Sequence, residues 1–167
     1  MTHRADLLDL PPDLARERFD AVFSFGVLHH TGDTHAALRN VAALVAPDGI
    51  LFVYLYGCES LSAPRRALLG LERLALAPLP FGVKRRLIAA VQPRSDVHQA
   101  FDCLSPTINT RHSFDEIRGW LDKLGFRQIV RTIEHTELFV RAIKEPEQLA
   151  AYLLPLPSAP HWFERYA

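Results

Sequence analysis

Residues 19–57 read FDAVFSFGVLHHTGDTHAALRNVAALVAPDGILFVYLYG. Asp20 to Phe25 is a short apolar run of strand length, rich in β-branched and aromatic residues, and suits a strand buried in a parallel sheet. His29 to Asp33 is a polar loop around Gly32. Asp33 or Thr34 can cap a helix. Leu38, Val41, Leu44 and Val45 then recur at helical spacing, and Pro47-Asp48-Gly49 stops the run. Ile50 to Tyr56 is a second buried strand. Strand, helix and strand within about forty residues make one βαβ unit, whose right-handed crossover gives a parallel sheet. The fold class is therefore α/β.

On the N-terminal side, ADLLDLPP reads as the end of a strand, an acidic turn and a Pro-Pro stop. On the C-terminal side, residues 57–112 break the alternation. Two helices are expected there, over 61–77 and 82–91, followed by the irregular stretch QPRSDVHQAFDCLSPTINTRH. Ser113-Phe-Asp-Glu116 has the form of a capping box, so a helix is expected over 114–124, with Gly125 as its C′ residue. Residues 126–133 and 138–143 read as an antiparallel hairpin. A last short helix over 145–153 precedes a Pro-rich end.

The 167 residues suffice for one domain with one core. Apolar residues make up 49% and charged residues 23%, and the formal net charge is zero. A nucleic-acid binder needs a basic excess to neutralise phosphates, so no nucleic-acid partner is expected. Cys58 and Cys103 lie far apart without metal-ligand spacing and read as thiols of a reducing compartment. The N-terminus lacks a signal-peptide core, and the apolar stretch 67–81 is broken by Glu72, Arg73, Pro78 and Pro80, so no membrane span is expected and the cytoplasm is the expected location. Arg65-Arg66 and Lys84-Arg85-Arg86 read as solvated faces or, with the leucines between them, as a dock for a lipid or an acidic partner.

In an open α/β sheet, ligands bind at the carboxyl ends of the parallel strands. That rule selects the turn Asp6–Asp9, the segment Ser24–Thr31, and Tyr56 with the residues just after it. Adjacent His29 and His30 point apart, so they are not expected to share a metal; no metal site is expected. One of the two suits a general base at neutral pH.

The same residues resemble the second half of class I S-adenosylmethionine-dependent methyltransferases, in the type 11/12 group. The family's "FD-x-V" strand, "VLHH" loop, "AL" helix, "L-x-P-G-G" turn and following strand match residues 19–56, with Asp48 in place of the first turn glycine. ADLLDLP is similar to the family's acidic "GDA-x-x-LP" stretch, and SFDEIRGWLDKLGFRQI to its late helix and strand. The resemblance implies the C-terminal part of a Rossmann-like methyltransferase sheet, parallel strands plus a terminal antiparallel hairpin. A partial methyltransferase domain would span 1–143, with 57–112 a helical and loop substrate insert and 144–167 a C-terminal tail.

For function, the resemblance implies methyl transfer from S-adenosyl-L-methionine to a small-molecule or lipid-like acceptor. Asp6 matches the acid that accepts a hydrogen bond from the adenine amino group, and Leu7 the position whose backbone N–H meets the ring. Ser24, Phe25 and Gly26 match the strand end lining the methionine part of the cofactor. His29 and His30 match the loop beside the methyl group, as catalytic candidates. Tyr56 and the stretch Asn109, Arg111 and His112 lie where the family makes substrate contacts. The family's glycine-rich cofactor loop and ribose-binding acid precede the acidic turn, and this sequence begins after them. Two readings are open: an enzyme, or a non-catalytic half that works with a partner segment supplying that loop. In the family's strand order the strand near 21–25 then has an open edge, and self-association is expected.

Overall fold

The computed structural model describes residues 4–58, 62–91, 100–101, 104–105, 108–133 and 137–144. The expected helix over 145–153, the Pro-rich end and Cys103 lie outside the described residues. The chain divides into two compact units, one formed by residues up to Ser60 together with those from Thr110 onward, the other by Leu61–Asn109.

The first unit is a four-stranded sheet. Strand β1 (Phe19–Phe25) runs parallel to β2 (Val45–Leu55), with Phe23 opposite Phe52 and Phe25 opposite Tyr54. Helix α1 (Thr34–Ala43) makes the crossover between them. Asp33 caps it, accepting a hydrogen bond from the Ala36 N–H at 2.9 Å. Helix α4 (Phe114–Lys123) leads into β3 (Arg127–Ile133), which forms an antiparallel hairpin with β4 (Leu138–Ile143). Strand β4 in turn pairs antiparallel with β2, so the sheet order is β1-β2-β4-β3. The α/β class, the parallel pair and the terminal antiparallel hairpin agree with the sequence reading.

Strand alternation sends Leu51, Val53 and Leu55 to one face of β2. There they join Leu38 and Val41 of α1, Ile117 and Leu121 of α4, and Phe126 in one core. Burying each such side chain is worth about 1.5–3 kcal/mol, so this cluster is what fixes the register of the helices on the sheet. The opposite face carries aromatic rings instead: Phe23 stacks on Phe52 at 5.0 Å and Tyr54 on Phe139 at 4.7 Å.

Two boundaries depart from the sequence reading. The first helix ends at Ala43, and Val45, expected on that helix, is instead the buried first residue of β2. Pro47-Asp48-Gly49 is not the helix stop, since the helix has ended before it; it lies inside the strand as an irregularity, because Phe19 pairs with Val45 and Ala21 already with Ile50. Gly49 is required there: an added Cβ would lie 2.7 Å from Val45 Cγ1 and 3.0 Å from the carbonyl oxygens of Ala46 and Phe19. The N-terminal stretch is a turn rather than a strand end over its described residues, closed by an Asp6–Asp9 bridge.

The C-terminus of α4 is closed by hydrogen bonds from Gly125 N–H to Asp122 O and from Phe126 N–H to Leu121 O, a Schellman arrangement. Ser113 caps its N-terminus by accepting from the Glu116 N–H at 3.1 Å. The Glu116 carboxylate turns to His112.

The second unit contains α2 (Ala63–Leu76) and α3 (Phe81–Val91). Ser62 caps α2, with a proline in its first turn. Pro80 sits between the helices. Arg73 on α2 donates to the Asn109 carbonyl oxygen at 3.2 Å, while Lys84 and Ile88 are the buried residues of α3.

Candidate functional site

At the carboxyl end of β1 the chain must leave the sheet at once. Gly26 does so at φ +70°, a conformation that favours glycine, and its N–H donates to the Tyr54 carbonyl oxygen at 3.2 Å. A single 3₁₀ turn, Leu28–His30, comes next. Thr31 closes it by donating both its N–H and its hydroxyl to the Leu28 carbonyl oxygen. This turn drives Leu28 and His29 into the protein, both at 0% exposure.

His29 lies face to face with Tyr56, ring centroids 4.0 Å apart, with His30 at 4.2 Å and the edge of Tyr54 at 6.2 Å. Both ring nitrogens are buried and meet no hydrogen-bond partner among the described residues. Burial, and then the charges of His30, Arg111 and His112, lower its pKa to about 3. The imidazole is neutral at physiological pH, with one N–H and one lone pair. Leaving such groups unmet costs about 1–3 kcal/mol each, so the site holds a polar group that a ligand would satisfy.

The residues from Thr110 to His112 clasp this loop. Thr110 donates its N–H, at 3.0 Å, and its hydroxyl, at 3.2 Å, to the His29 carbonyl oxygen. The Thr110 hydroxyl also meets Thr34 Oγ1 at 2.7 Å and His112 Nε2 at 3.1 Å. Nδ1 of His112 lies 2.9 Å from Glu116 Oε2. The backbone continues the sheet: His112 N–H donates to Tyr56 O and Cys58 N–H to His112 O. Arg111 sits over the Tyr56 ring at 5.0 Å, donates to Gly57 O at 2.8 Å and lies 3.6 Å from Glu137. Glu137 itself accepts from the Gly57 N–H at 2.6 Å.

The structure thus gathers His29, His30, Tyr56, Arg111 and His112 beyond the ends of β1 and β2. Asn109 belongs to the other unit. Of the expected substrate contacts, Arg111 bonds Gly57 and lies beside Glu137 through one guanidinium nitrogen, and His112 meets Thr110 and Glu116. The sequence reading missed Thr34, Thr110, Glu116 and Glu137 as parts of the site. Glu116 was legible as a capping residue, but its partner His112 was not; Glu137 carries no sequence signal.

The cofactor candidates form two pieces. Asp6 is exposed, and its Oδ1 accepts from the Leu8 N–H at 2.9 Å, an Asx turn that holds the carboxylate in place. Asn40 on α1 donates to the Leu7 carbonyl oxygen at 2.8 Å and ties this turn to the helix. An open cavity of about 270 Å³ beside it is lined by Leu8, Asp9, Leu10, Ala15, Asn40 and Ala43, without Asp6 on its wall. Ser24 is buried at 8% among the residues alternating towards α1, whereas Phe25 is 55% exposed on the opposite face. An ordered, exposed carboxylate fits an exocyclic amine, and the glycine at position 26 fits close approach of a ligand to backbone. Among the described residues, no group of three His, Cys, Asp or Glu side chains is placed to hold a metal ion.

Residues 2–51 match a family profile described as a methyltransferase domain. Among solved structures, an O-methyltransferase family protein from Burkholderia thailandensis has a TM-score of 0.52 and 13% identity, covering 86% of this chain and 35% of that one. Human N-acetylserotonin methyltransferase in complex with SAM has a TM-score of 0.46 and 16% identity, over 85% of this chain and 33% of that one. Magnesium protoporphyrin IX methyltransferase from Synechocystis, with bound SAH, has a TM-score of 0.43 and 18% identity, over 84% and 49%. No curated protein matches the sequence. The fold, on the first of these likenesses, is that of methyltransferases. The profile match agrees with the resemblance to a methyltransferase domain over residues 2–51. The chain spans 35% of the length of the first structure it matches.

Proposed function

We propose that this chain serves S-adenosylmethionine-dependent methyl transfer to a small-molecule or lipid-like acceptor. The observation that carries the reading is His29, wholly buried with both ring nitrogens unmet among the described residues, at the carboxyl ends of two parallel strands. S-adenosylmethionine, when bound, supplies an electrophilic methyl group on sulfur. Asp6 would accept from the adenine amine, the Leu7 backbone would meet the ring, and Ser24, Phe25 and Gly26 would line the methionine part.

The loop around the buried, neutral His29 would have to open for the imidazole to meet the acceptor. The unprotonated form of His29 is fully populated at neutral pH, but a pKa of about 3 makes it a weak base. Its main work is to orient the acceptor's O–H or N–H, so most of the rate gain comes from proximity and alignment. Tyr56, stacked on His29 and lying under the Arg111 guanidinium, holds the imidazole in place, and His30 flanks it. Residues 57–112 act as the substrate insert that sets acceptor preference. Residues 1–143 form the partial methyltransferase domain and 144–167 a tail.

A second reading, a non-catalytic half that works with a partner segment, draws on the open edge of β1. Its only strand partner among the described residues is β2, and Phe23 stands 61% exposed. No helix among the described residues is long and apolar enough to cross a membrane. We assign the chain to the cytoplasm on its cysteine usage. The test is incubation with methyl-labelled S-adenosylmethionine and separate lipid and water-soluble extracts, with His29→Phe as control. Label moving into one extract, and not with the variant, supports the enzyme; a chain that binds the cofactor but transfers nothing supports the second reading.

A further inference from the structure

The second unit carries exposed apolar residues on both of its described helices. On α2, Leu68, Leu71 and Leu74 recur three residues apart and stand exposed, Leu71 at 64% and Leu74 at 71%. The inward side of this helix is marked by Arg73, which donates to the Asn109 carbonyl oxygen. On α3, Val83, Leu87 and Val91 recur four residues apart, one line along the helix, and all are exposed, while Lys84 and Ile88 turn inward. Single exposed apolar residues are ordinary; two rows of them on consecutive helices of one small unit are not.

Charge decides what covers them. Between Leu61 and Asn109 there are seven Lys and Arg against three Asp and Glu, an excess of four in a chain whose total is balanced at 19 each. Arg65, Arg66, Arg85 and Arg86 are exposed on the same helices as the apolar rows. A second copy of this surface would bring like charges together. An anionic bilayer takes both features: leucines enter the acyl boundary, while arginines with long apolar stems reach the phosphates.

We infer that α2 and α3 form an interfacial docking surface for anionic phospholipid membranes, with the helices lying in the headgroup plane. This rests on the second unit alone and stands whether or not the chain transfers methyl groups.

Flotation of the full chain with vesicles tests it, because aggregated protein stays at the bottom of the gradient. Vesicles of phosphatidylcholine with phosphatidylglycerol should carry the chain upward, and vesicles of phosphatidylcholine alone should carry far less. Partition should fall with added salt. Arg65→Gln with Arg66→Gln should weaken it on the order of tenfold or more. Leu71→Glu with Leu74→Glu should abolish it while circular dichroism keeps its helical signal. The inference is overturned by absence of flotation, by equal flotation with neutral and anionic vesicles, or by leucine variants that change only the oligomeric state, which would make the surface a contact between copies.

Discussion

The Thr110 side chain and backbone both close on one atom, the carbonyl oxygen of His29, 81 residues away in sequence. The same hydroxyl meets Thr34 and His112, so one methyl-bearing side chain joins the β1 loop, the start of α1 and the strand-like segment beside Tyr56. Thr110→Val keeps the shape and removes the hydroxyl. It should cost about 1–3 kcal/mol in chemical denaturation, the scale of leaving buried partners unmet. Thr110→Ser should restore most of the loss; equal stability of all three forms would show that the clasp does nothing.

The buried His29 gives stability a pH dependence. Its folded pKa of about 3 lies below the ordinary 6.5, so the unfolded chain binds the proton first as pH falls. No penalty exists above pH 6.5. Below it the folded state loses stability, by about 2 kcal/mol between about pH 7 and pH 5, until the folded pKa is reached. Thermal unfolding across this range should show that slope, and His29→Phe should flatten it. An unchanged slope would mean that His29 opens to solvent.

Strand β1 has an apolar row, Phe23 and Phe25 at 61% and 55% exposure, on the sheet's outer strand among the described residues. No lysine, proline or bulge blunts the stretch Ala21–Phe25. The isolated chain should therefore self-associate, as sedimentation velocity would show. Phe23→Lys should shift it towards monomer; a stable monomer without that change contradicts the open edge.

Asp6→Ala should weaken S-adenosylmethionine binding by about 1–3 kcal/mol, the scale of a hydrogen bond to a charged group. Calorimetric titration of both forms decides it. Equal affinities would leave Asp6 as a turn residue only.

Much of the fold was legible because residues 19–57 and 113–143 carry local signals that agree with one another: periodicity, an Asp33 cap, a Ser113 cap and a C′ glycine. The start of β2 was not, since Val45 fits the helical period equally well and only pairing with Phe19 draws it into the sheet. The site was half legible. His29 and Tyr56 come from the rule that ligands gather at strand ends. The clasp depends on contacts between residues some 80 apart, Thr110 to His29 and Glu137 to Gly57, which no local pattern encodes. The pairing of His112 with Glu116 was not legible, because Glu116 reads in the sequence as part of a capping box.

The most direct test is equilibrium dialysis of radiolabelled S-adenosylmethionine against the folded protein and its Asp6→Ala variant. The account predicts retention by the protein, lowered by Asp6→Ala. A folded protein that retains no label would contradict it.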